Sequence, residues 1–227
     1  MAALRLRRSQ PLSAVGLVQT AGLDGTDLPA WSSRDPHNTR RGLGDPDAQL
    51  GRGKKGFLLG YLSLFLLDIE AFPLGHVEAP LNVNEKQLVE ELLTRVLGEC
   101  IEVELLAADS QLESQAVFQL LEALKISHII AWRRLKGREN PADVLTVKDR
   151  IDVEGPQWMR AIYKRLRAVV EGFGRVKSRL AYQRLTWQGL GNASIHVSLV
   201  LMVAYAVCIA AYGIGRPELR QSVAFFA

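Results

Sequence analysis

Three acidic residues in this sequence have the type and setting needed to share metal ions. Asp109 directly follows a short apolar run, Leu105–Ala108, and precedes a polar turn. Asp24 lies in the strand-like segment LDGTD, and Glu171 lies in a helical pattern. Close carboxylates repel one another, and divalent cations relieve this repulsion while taking oxygen ligands. Two such ions can activate a water or a 3′-hydroxyl and stabilise the leaving oxygen of a phosphodiester.

Each of these acids also has a simpler explanation. An Asp after a strand is most often an N-cap, whose side-chain oxygen accepts hydrogen bonds from the first N–H groups of the next helix. Glu171 has cations at helical spacing, which would form an exposed salt-bridge network with it: Lys164, Arg167 and Arg175. From the residues alone, the metal-binding and the structural interpretations both stay open.

Other acids could take the same places. Asp27 stands three residues after Asp24 and could serve as the first acid. Glu154 is a weaker substitute for Glu171, because it lies in an irregular basic stretch. Asp68 also ends a strand-like run, but we expect it to lie at the outer end of that strand and to cap the turn.

The charges are unevenly distributed along the chain. From Asp68 to Lys125 there are twelve acids and three bases, whereas from Arg133 to Arg184 there are fourteen Lys or Arg and six acids. This asymmetry predicts either a polyanion-binding surface beside a carboxylate-rich centre or, equally well, a solvated helix face and a charged loop.

Composition excludes several classes of protein. A length of 227 residues fits one domain with a substantial core, and the net charge is +4. Cys100 and Cys208 lie far apart, and the four histidines are scattered, so no zinc site or disulfide framework is expected and the setting is predicted to be reducing and cytoplasmic. The segment GRGKKG lacks the spacing of a phosphate-binding P-loop.

The elements that must position the acids follow from hydrophobic periodicity. Residues 31–56 and 133–158 read as polar, irregular connections. The predicted strands are Val18–Leu28, Phe57–Ile69, Leu74–Pro80, 102–108 and His128–Trp132, the second and third forming a hairpin. The predicted helices are Asn84–Leu97, 112–124 and Arg160–Leu180, with Asn84 or Asn82 as the cap of the first. Strands followed by strand–helix alternation predict a mixed α/β sheet.

One later segment, Val197–Gly215, carries no charge over nineteen residues. That length is sufficient to span a bilayer. Ser198, Cys208 and several small residues also suit a tightly packed interior helix, so hydropathy alone leaves both interpretations open.

A series of motifs runs in order along the chain. They are LDGTDLPAWSSRD at 23–35, DPDAQLGRGKKGFLLGY at 45–61, LLDIEAFPLGHVEAPLNVNE at 66–85, LLAADSQLES at 105–114 and YKRLRAVVEGFGRVKSRLAYQRLTW at 163–187. In order and spacing they resemble the DDE transposases of prokaryotic insertion sequences, and the tail NASIHVSLVLMVAYAVCIAAYGIGRPELRQS at 192–222 is similar to the end of archaeal members. The resemblance covers residue 20 to the C-terminus.

The resemblance implies a fold and an activity. It implies a ribonuclease H-like α/β fold, in which a mixed sheet is flanked by helices and a C-terminal apolar helix packs on the catalytic domain, so that membrane insertion is not expected. The implied activity is cleavage and strand transfer of double-stranded DNA at transposon ends and target, with two Mg²⁺ or Mn²⁺ ions and a homodimer as the active form. The domains would be a ragged segment 1–19, a catalytic domain 20–192 and a helical tail 193–227.

The resemblance also assigns residues. The catalytic and metal-binding acids would be Asp24, Asp109 and Glu171, and Tyr163, Arg167 and Lys177 are the nearest counterparts of a Tyr, an Arg and a Lys around the helical Glu. The basic stretch 133–158 becomes a DNA-contacting insertion. The implied DNA-binding cations are Arg133, Arg134, Lys136, Arg138, Lys164, Arg167, Arg175 and Lys177. Trp132 and Trp187 would stack on unpaired bases or belong to the core.

Some positions depart from the family pattern and motivate two other hypotheses. Gly172 stands where an Arg usually follows the Glu, Ser110 begins the segment that usually holds Gly-Tyr, and Leu62 replaces a common Lys. With few residues before Asp24, the chain would be an N-terminally truncated copy, and a catalytically decayed DNA-binding remnant is the second hypothesis. The third is a small membrane protein anchored by 197–215.

Overall fold

The computed structural model describes residues 20–53, 56–68, 72–99, 101–130 and 185–226, together with positions 161, 164, 165, 174, 178, 180 and 182. The predicted segment 1–19, the basic stretch 133–158 and most of the predicted helix Arg160–Leu180 lie outside the described residues. Of that helix, positions 161, 164, 165, 174, 178 and 180 are described; all are helical except Leu180, which lies in a turn.

Within the described residues, six strands form one mixed sheet. They are β1 (Thr20–Pro29), β2 (Gln49–Gly53), β3 (Gly56–Asp68), β4 (Pro73–Pro80), β5 (Leu105–Ala108) and β6 (Ser127–Ile130). One edge of β3 pairs with β1, and its other edge pairs first with β2 and then with β4. All three pairings are antiparallel. β5 pairs in parallel with the other edge of β1, and β6 in parallel with β5. The predicted mixed α/β sheet is therefore confirmed.

The strand β3 is central because its sequence is apolar on both sides. From Tyr61 to Asp68 every residue is buried, which is expected of a strand that is covered by other elements on both faces. Its even-numbered leucines, Leu62, Leu64 and Leu66, pack in one hydrophobic cluster. Its odd-numbered residues pack in a second cluster on the opposite face: Tyr61, Phe65 and Leu67. We call these faces the first and second faces of the sheet.

Two helices cover the first face. They are α1 (Val89–Gly98) and α2 (Gln115–Ala123), and their buried residues belong to the first-face cluster. Asn84 caps a short 3₁₀ turn, Glu85–Gln87, so α1 begins later than predicted. Ser114 caps α2 by accepting a hydrogen bond from the N–H of Val117 at 3.2 Å.

A long helix, α3 (Leu190–Gly213), covers the second face. The Ser198 hydroxyl lies 3.1 Å from Nε2 of His76 on β4, and the Tyr205 hydroxyl donates to the carbonyl of Pro73. By length and composition α3 could cross a membrane, and 33% of its most apolar window is buried within the protein. The expected packing of an apolar C-terminal helix on the domain is confirmed. A 3₁₀ turn, Pro217–Leu219, and a short helix, α4 (Val223–Phe226), follow it.

The segment predicted as one long polar loop, residues 31–56, is more structured than its composition indicates. It contains β2, and it buries two carboxylates whose partners could not be read from local sequence. Asp45 accepts hydrogen bonds from the Tyr61 hydroxyl at 2.5 Å and from the N–H of Ala48 at 3.3 Å. Asp35 accepts from the N–H of His37 at 2.8 Å and from Arg41 Nε at 2.9 Å, and these contacts lower the pKa of Asp35.

Replacing Gly60 by Ala should destabilise the protein. A Cβ at Gly60 would clash with the carbonyl oxygen of Leu28 and lie 3.1 Å from the N of Ala30. We expect a loss of about 2 kcal/mol in the free energy of unfolding, measured by urea denaturation. Gly98→Ala is the matched control, because a Cβ there meets nothing within 4 Å. Equal unfolding midpoints for the two variants would contradict the close approach of β3 to β1.

Replacing Tyr61 by Phe should remove a hydrogen bond to a buried carboxylate, at a cost of about 1.5–3 kcal/mol at neutral pH. Burial, and then the hydrogen bond to Asp45, raise the pKa of Tyr61 above its ordinary value. The stability contributed by the protonated hydroxyl is therefore complete below the ordinary pKa of tyrosine and is lost as the pH rises above it. The difference between wild type and Tyr61→Phe should shrink above about pH 10; a constant difference would disprove this assignment.

Candidate active site

Asp24 lies on the second face of the sheet. Side chains alternate along a strand, and Ala21 and Leu23 pack in the first-face cluster, whereas Leu28 packs in the second. Asp24 is therefore on the same face as Leu28, where it is partly buried. Its partner in the antiparallel register is Phe65 of β3, which belongs to the second-face cluster.

Asp109 also projects toward the second face. Leu106 and Ala108 of β5 pack in the first-face cluster, so alternation places Asp109 opposite to them. It is exposed, directly after the last residue of β5.

The simpler interpretation of Asp109 as a cap holds for one of its oxygens. Oδ1 accepts a hydrogen bond from the N–H of Gln111 at 2.8 Å and so caps the 3₁₀ turn Ser110–Leu112. The helix α2 has Ser114 as its own cap. A carboxylate has two oxygens with about four acceptor positions, so a cap bond on Oδ1 is compatible with metal binding through Oδ2.

The parallel register of β1 and β5 brings the two acids together. Thr20 is paired with Leu105, and Gly22 with Ala107. Continuing this register by two residues on both segments brings Asp24 level with Asp109. Neighbouring strands lie about 4.8 Å apart, and both side chains project toward the same face. The continued register therefore directs two carboxylates, 85 positions apart in the sequence, toward the same end of the sheet.

The substitute acids lie elsewhere. Asp27 projects to the first face, where its Oδ2 lies close against Gly53. Asp68 is paired with Ala21 at the beginning of β1, and its Oδ1 accepts from the N–H of Phe72 at 2.7 Å, as expected of a turn cap. Glu154 lies outside the described residues.

Most of the predicted DNA-binding residues lie outside the described part of the chain. Lys164 is described, and it is helical and exposed. Trp187 is described too, with 49% of its surface exposed. The predicted site residues outside the described part of the chain are Glu171, Arg133, Arg134, Lys136, Arg138, Arg167, Arg175 and Lys177. Three other residues named in the sequence analysis also lie outside it: Trp132, Tyr163 and Gly172.

The chain that follows the predicted helix Arg160–Leu180 returns to the face that carries Asp24. Leu180 packs against the second-face cluster, and Tyr182 and Leu185 are buried within it. Burial, followed by the nearby charges of Glu78, Asp27 and Asp24, raises the pKa of Tyr182. This tyrosine is thus buried in the core on the same side of the sheet as the two acids.

The donor chemistry of the pair suits a hard divalent cation. Asp24 and Asp109 offer carboxylate oxygens, which Mg²⁺ and Mn²⁺ prefer, and no sulfur or imidazole ligand is needed. Among the described residues, no group of three or more His, Cys, Asp or Glu side chains is placed to hold a metal ion.

A second polar group on this face was not predicted from the sequence. Nδ1 of His76 lies 2.9 Å from Oε1 of Glu78, and Nε2 lies 3.1 Å from the Ser198 hydroxyl. Spacing of two along β4 could have predicted the His–Glu pair, since residues i and i+2 share a face. The Ser198 hydroxyl donates to the carbonyl of Ser194 at 2.9 Å, in the middle of α3. A catalytic serine needs free backbone N–H groups to stabilise an oxyanion, and here helical hydrogen bonds occupy those groups. This group therefore attaches α3 to β4.

Substitutions at Asp109 should separate its capping role from its charge. Asn caps about as well as Asp, so Asp109→Asn should keep the free energy of unfolding within about 0.5 kcal/mol of wild type, whereas Asp109→Ala should lose about 1 kcal/mol. Denaturant titration of both variants measures this. Equal losses would show that the carboxylate charge, and not the cap bond to Gln111, stabilises the turn.

Comparison with known proteins gives one kind of result, a distant structural similarity. No protein-family model matches the chain, and no curated protein matches it. Among solved structures, the chain is similar to the Mos1 transposase paired-end complex with left transposon end, at 14% sequence identity and a TM-score of 0.33. The similarity covers 76% of this chain and 57% of the Mos1 chain, so the chain spans less than two thirds of that protein. We therefore base the function on the geometry of the site and on the motifs.

Proposed function

We propose that this protein is a DDE-type transposase catalytic domain, which cleaves DNA strands and transfers them with divalent metal ions. The proposal is supported most directly by the parallel register of β1 and β5, which, when continued by two residues, brings Asp24 level with Asp109 on one face of the sheet. Capping explains only one acid of this pair, because the hydrogen bond from Gln111 needs Asp109 alone and gives no reason for Asp24.

Asp24 and Asp109 would hold the metal, with Glu171 as the third acid. Two Mg²⁺ or Mn²⁺ ions, when bound, supply activation of the attacking oxygen and stabilisation of the leaving oxygen. Asp24 is held in place by its strand, which is paired on both edges, and Asp109 by its bond to Gln111. The chain's own contribution is thus to keep two like charges close together in fixed positions before the metal binds.

DNA binding would come from the basic part of the chain. Lys164 is exposed on its helix and available to a phosphate. The other cations of the proposed contact surface are Arg133, Arg134, Lys136, Arg138, Arg167, Arg175 and Lys177. Phosphate contacts of this kind position a strand without reading its sequence, and they weaken as salt increases.

A DNA-binding remnant without catalysis is the second candidate. It is favoured by Gly172, which stands where the family pattern has an Arg, and by Ser110-Gln111-Leu112 in place of Gly-Tyr after the second acid. A remnant would bind DNA in a salt-sensitive manner in EDTA and would not nick it with any metal.

Nicking of supercoiled plasmid by the purified chain in Mg²⁺, Mn²⁺ and EDTA tests the proposal. We expect metal-dependent nicking that falls by more than about 100-fold in Asp24→Asn and Asp109→Asn, since loss of residues that only support metal ligands already costs 10–100-fold. Asp27→Asn is the matched control: it removes one carboxylate from the same strand but on the opposite face, and it should nick like wild type. Glu171→Gln tests the third acid in the same assay.

Each other outcome has a defined meaning. Undiminished nicking by Asp109→Asn would overturn the site assignment. Loss of nicking in Asp27→Asn but not in Asp24→Asn would move the first acid to the other face. Absence of nicking in wild type, together with salt-sensitive DNA binding in EDTA, would establish the remnant.

A further inference from the structure

The connection between β1 and β2, residues 30–48, folds into a small meander with its own hydrogen bonds. Residues 33–35 pair with residues 41–43, where the N–H of Leu43 donates to the carbonyl of Ser33 at 2.8 Å. Residues 41–43 pair in turn with the start of β2. A long connection inside a compact domain usually has a function of its own. We call residues 30–48 the meander.

Three large apolar side chains are exposed on neighbouring segments of backbone at the meander. The exposed fractions are 63% for Trp31, 59% for Leu43 and 49% for Trp187, although tryptophan is a highly buried residue on average. Gln188 joins the segments, because its Nε2 lies 3.5 Å from the carbonyl oxygen of Trp31 and a Cβ on Gly44 would lie 2.7 Å from the same nitrogen. We call Trp31, Leu43 and Trp187 the platform.

The charges that the meander exposes are mainly positive. Of its three acids, Asp35 and Asp45 are buried, and Asp47 accepts a hydrogen bond from the N–H of Leu190 at 3.1 Å. The arginines of the meander are all exposed: Arg34, Arg40 and Arg41. The surface around the platform is therefore complementary to an anion.

Arg41 is the cation best placed to bind a phosphate at the platform. It stands two residues before Leu43 on an extended segment, so the two side chains share a face. Asp35 holds the guanidinium by accepting from Nε at 2.9 Å, and the side chain of Arg41 is still 46% exposed. A guanidinium has five N–H donors, and the contact with Asp35 uses the one on Nε.

The platform lies beyond the end of β1 toward which the two candidate acids are directed. Asp24 stands five residues before Pro29, the last residue of β1, which is about 17 Å along an extended strand. Leu185, two residues before Trp187, is buried in the second-face cluster, on the face that carries Asp24. A DNA strand that reaches the acids along this face can therefore continue onto the platform.

We infer that the platform and Arg41 bind single-stranded DNA, with unpaired bases stacked on Trp31 and Trp187 and a phosphate on Arg41. Exposed aromatic side chains beside cations suit a single strand, because its bases have faces available for stacking, whereas the bases of a duplex are stacked on one another. This site deepens the proposed function, on which the role of the bound strand rests. Its binding is measured in EDTA, so a failure to bind single strands and a failure to nick plasmid are separate results.

Fluorescence anisotropy of the full chain with dye-labelled oligothymidylate, and with a labelled duplex, tests the platform. Trp31→Ala and Trp187→Ala should each weaken oligothymidylate binding by about 5- to 100-fold, the loss expected for one stacked base, and should change duplex binding by less than about twofold. Trp31→Phe should keep most of the affinity, because a phenyl ring still stacks. Phe225→Ala is the matched control: Phe225 is 51% exposed beyond the other end of α3, and its loss should not weaken binding.

Three other outcomes would overturn the inference. The first is unchanged oligothymidylate binding in both Trp→Ala variants. The second is an equal loss on duplex and on oligothymidylate, which would indicate a general change in the fold. The third is unchanged DNA binding with altered sedimentation of these variants, which would make the platform a contact between protein chains.

The double variant Asp35→Asn, Arg41→Gln tests the phosphate contact at constant net charge. Asn keeps an acceptor for the N–H of His37, and no buried charge is left without its partner. The slope of log K against log salt for oligothymidylate should become shallower by about 0.7, the value for one phosphate contact on a single strand. The matched control is Glu91→Gln, Arg95→Gln, which removes an exposed ion pair from α1 and should leave the slope unchanged. Equal slopes for wild type and the Asp35, Arg41 variant would overturn the assignment of Arg41.

Discussion

Parallel hydrogen bonding between β1 and β5 fixes the side of the sheet on which Asp24 and Asp109 lie. Because side chains alternate with a period of two, a slip of one residue in either strand would turn its acid toward the first face, into an apolar cluster. The slip is opposed from the other edge of β1, which is paired with β3 from Ala21 to Pro29. β3 is in turn buried on both faces, so it cannot shift without moving both clusters. The face on which the two candidate acids lie is therefore set by the register of a whole sheet, and the local bond to Gln111 adds to this only for Asp109.

The elements with continuous or periodic apolar patterns were predictable from the sequence. The strand Phe57–Ile69 corresponds to β3 almost residue for residue, and the run before Asp109 is β5. β2 was missed, because its sequence QLGRG has little apolar character. The burial of Asp45 was missed as well, since it depends on the Tyr61 hydroxyl, 16 positions away. Local patterns predict which segments bury apolar area, but not which polar groups find partners in the fold.

The candidate site was predictable only in part, for a similar reason. Sequence indicated Asp109 by its place after a buried run, but it could not choose between Asp24 and Asp27, which are three residues apart on one strand. The two side chains take opposite faces of the sheet, which is known only from the packing of Leu23 and Leu28 in different clusters. Hydropathy likewise could not say whether the C-terminal helix is interior or membrane-spanning, because it averages over all sides of a helix, whereas α3 is covered on one side and exposed on the other.

The hydrogen bonds that hold α3 on the sheet join residues very far apart in the chain. Asp47 accepts from the N–H of Leu190 across 143 positions, Ser198 meets His76 across 122, and Tyr205 meets Pro73 across 132. Closing such loops costs chain entropy before any contact repays it, so contacts of this kind form slowly. The sheet with α1 and α2 can assemble from closer partners, and docking of α3 is then the late step of folding. By the same reasoning, α3 is the element whose transient release would uncover Tyr61, Phe65 and Tyr182, and its backbone amides would exchange with solvent without unfolding of the whole sheet.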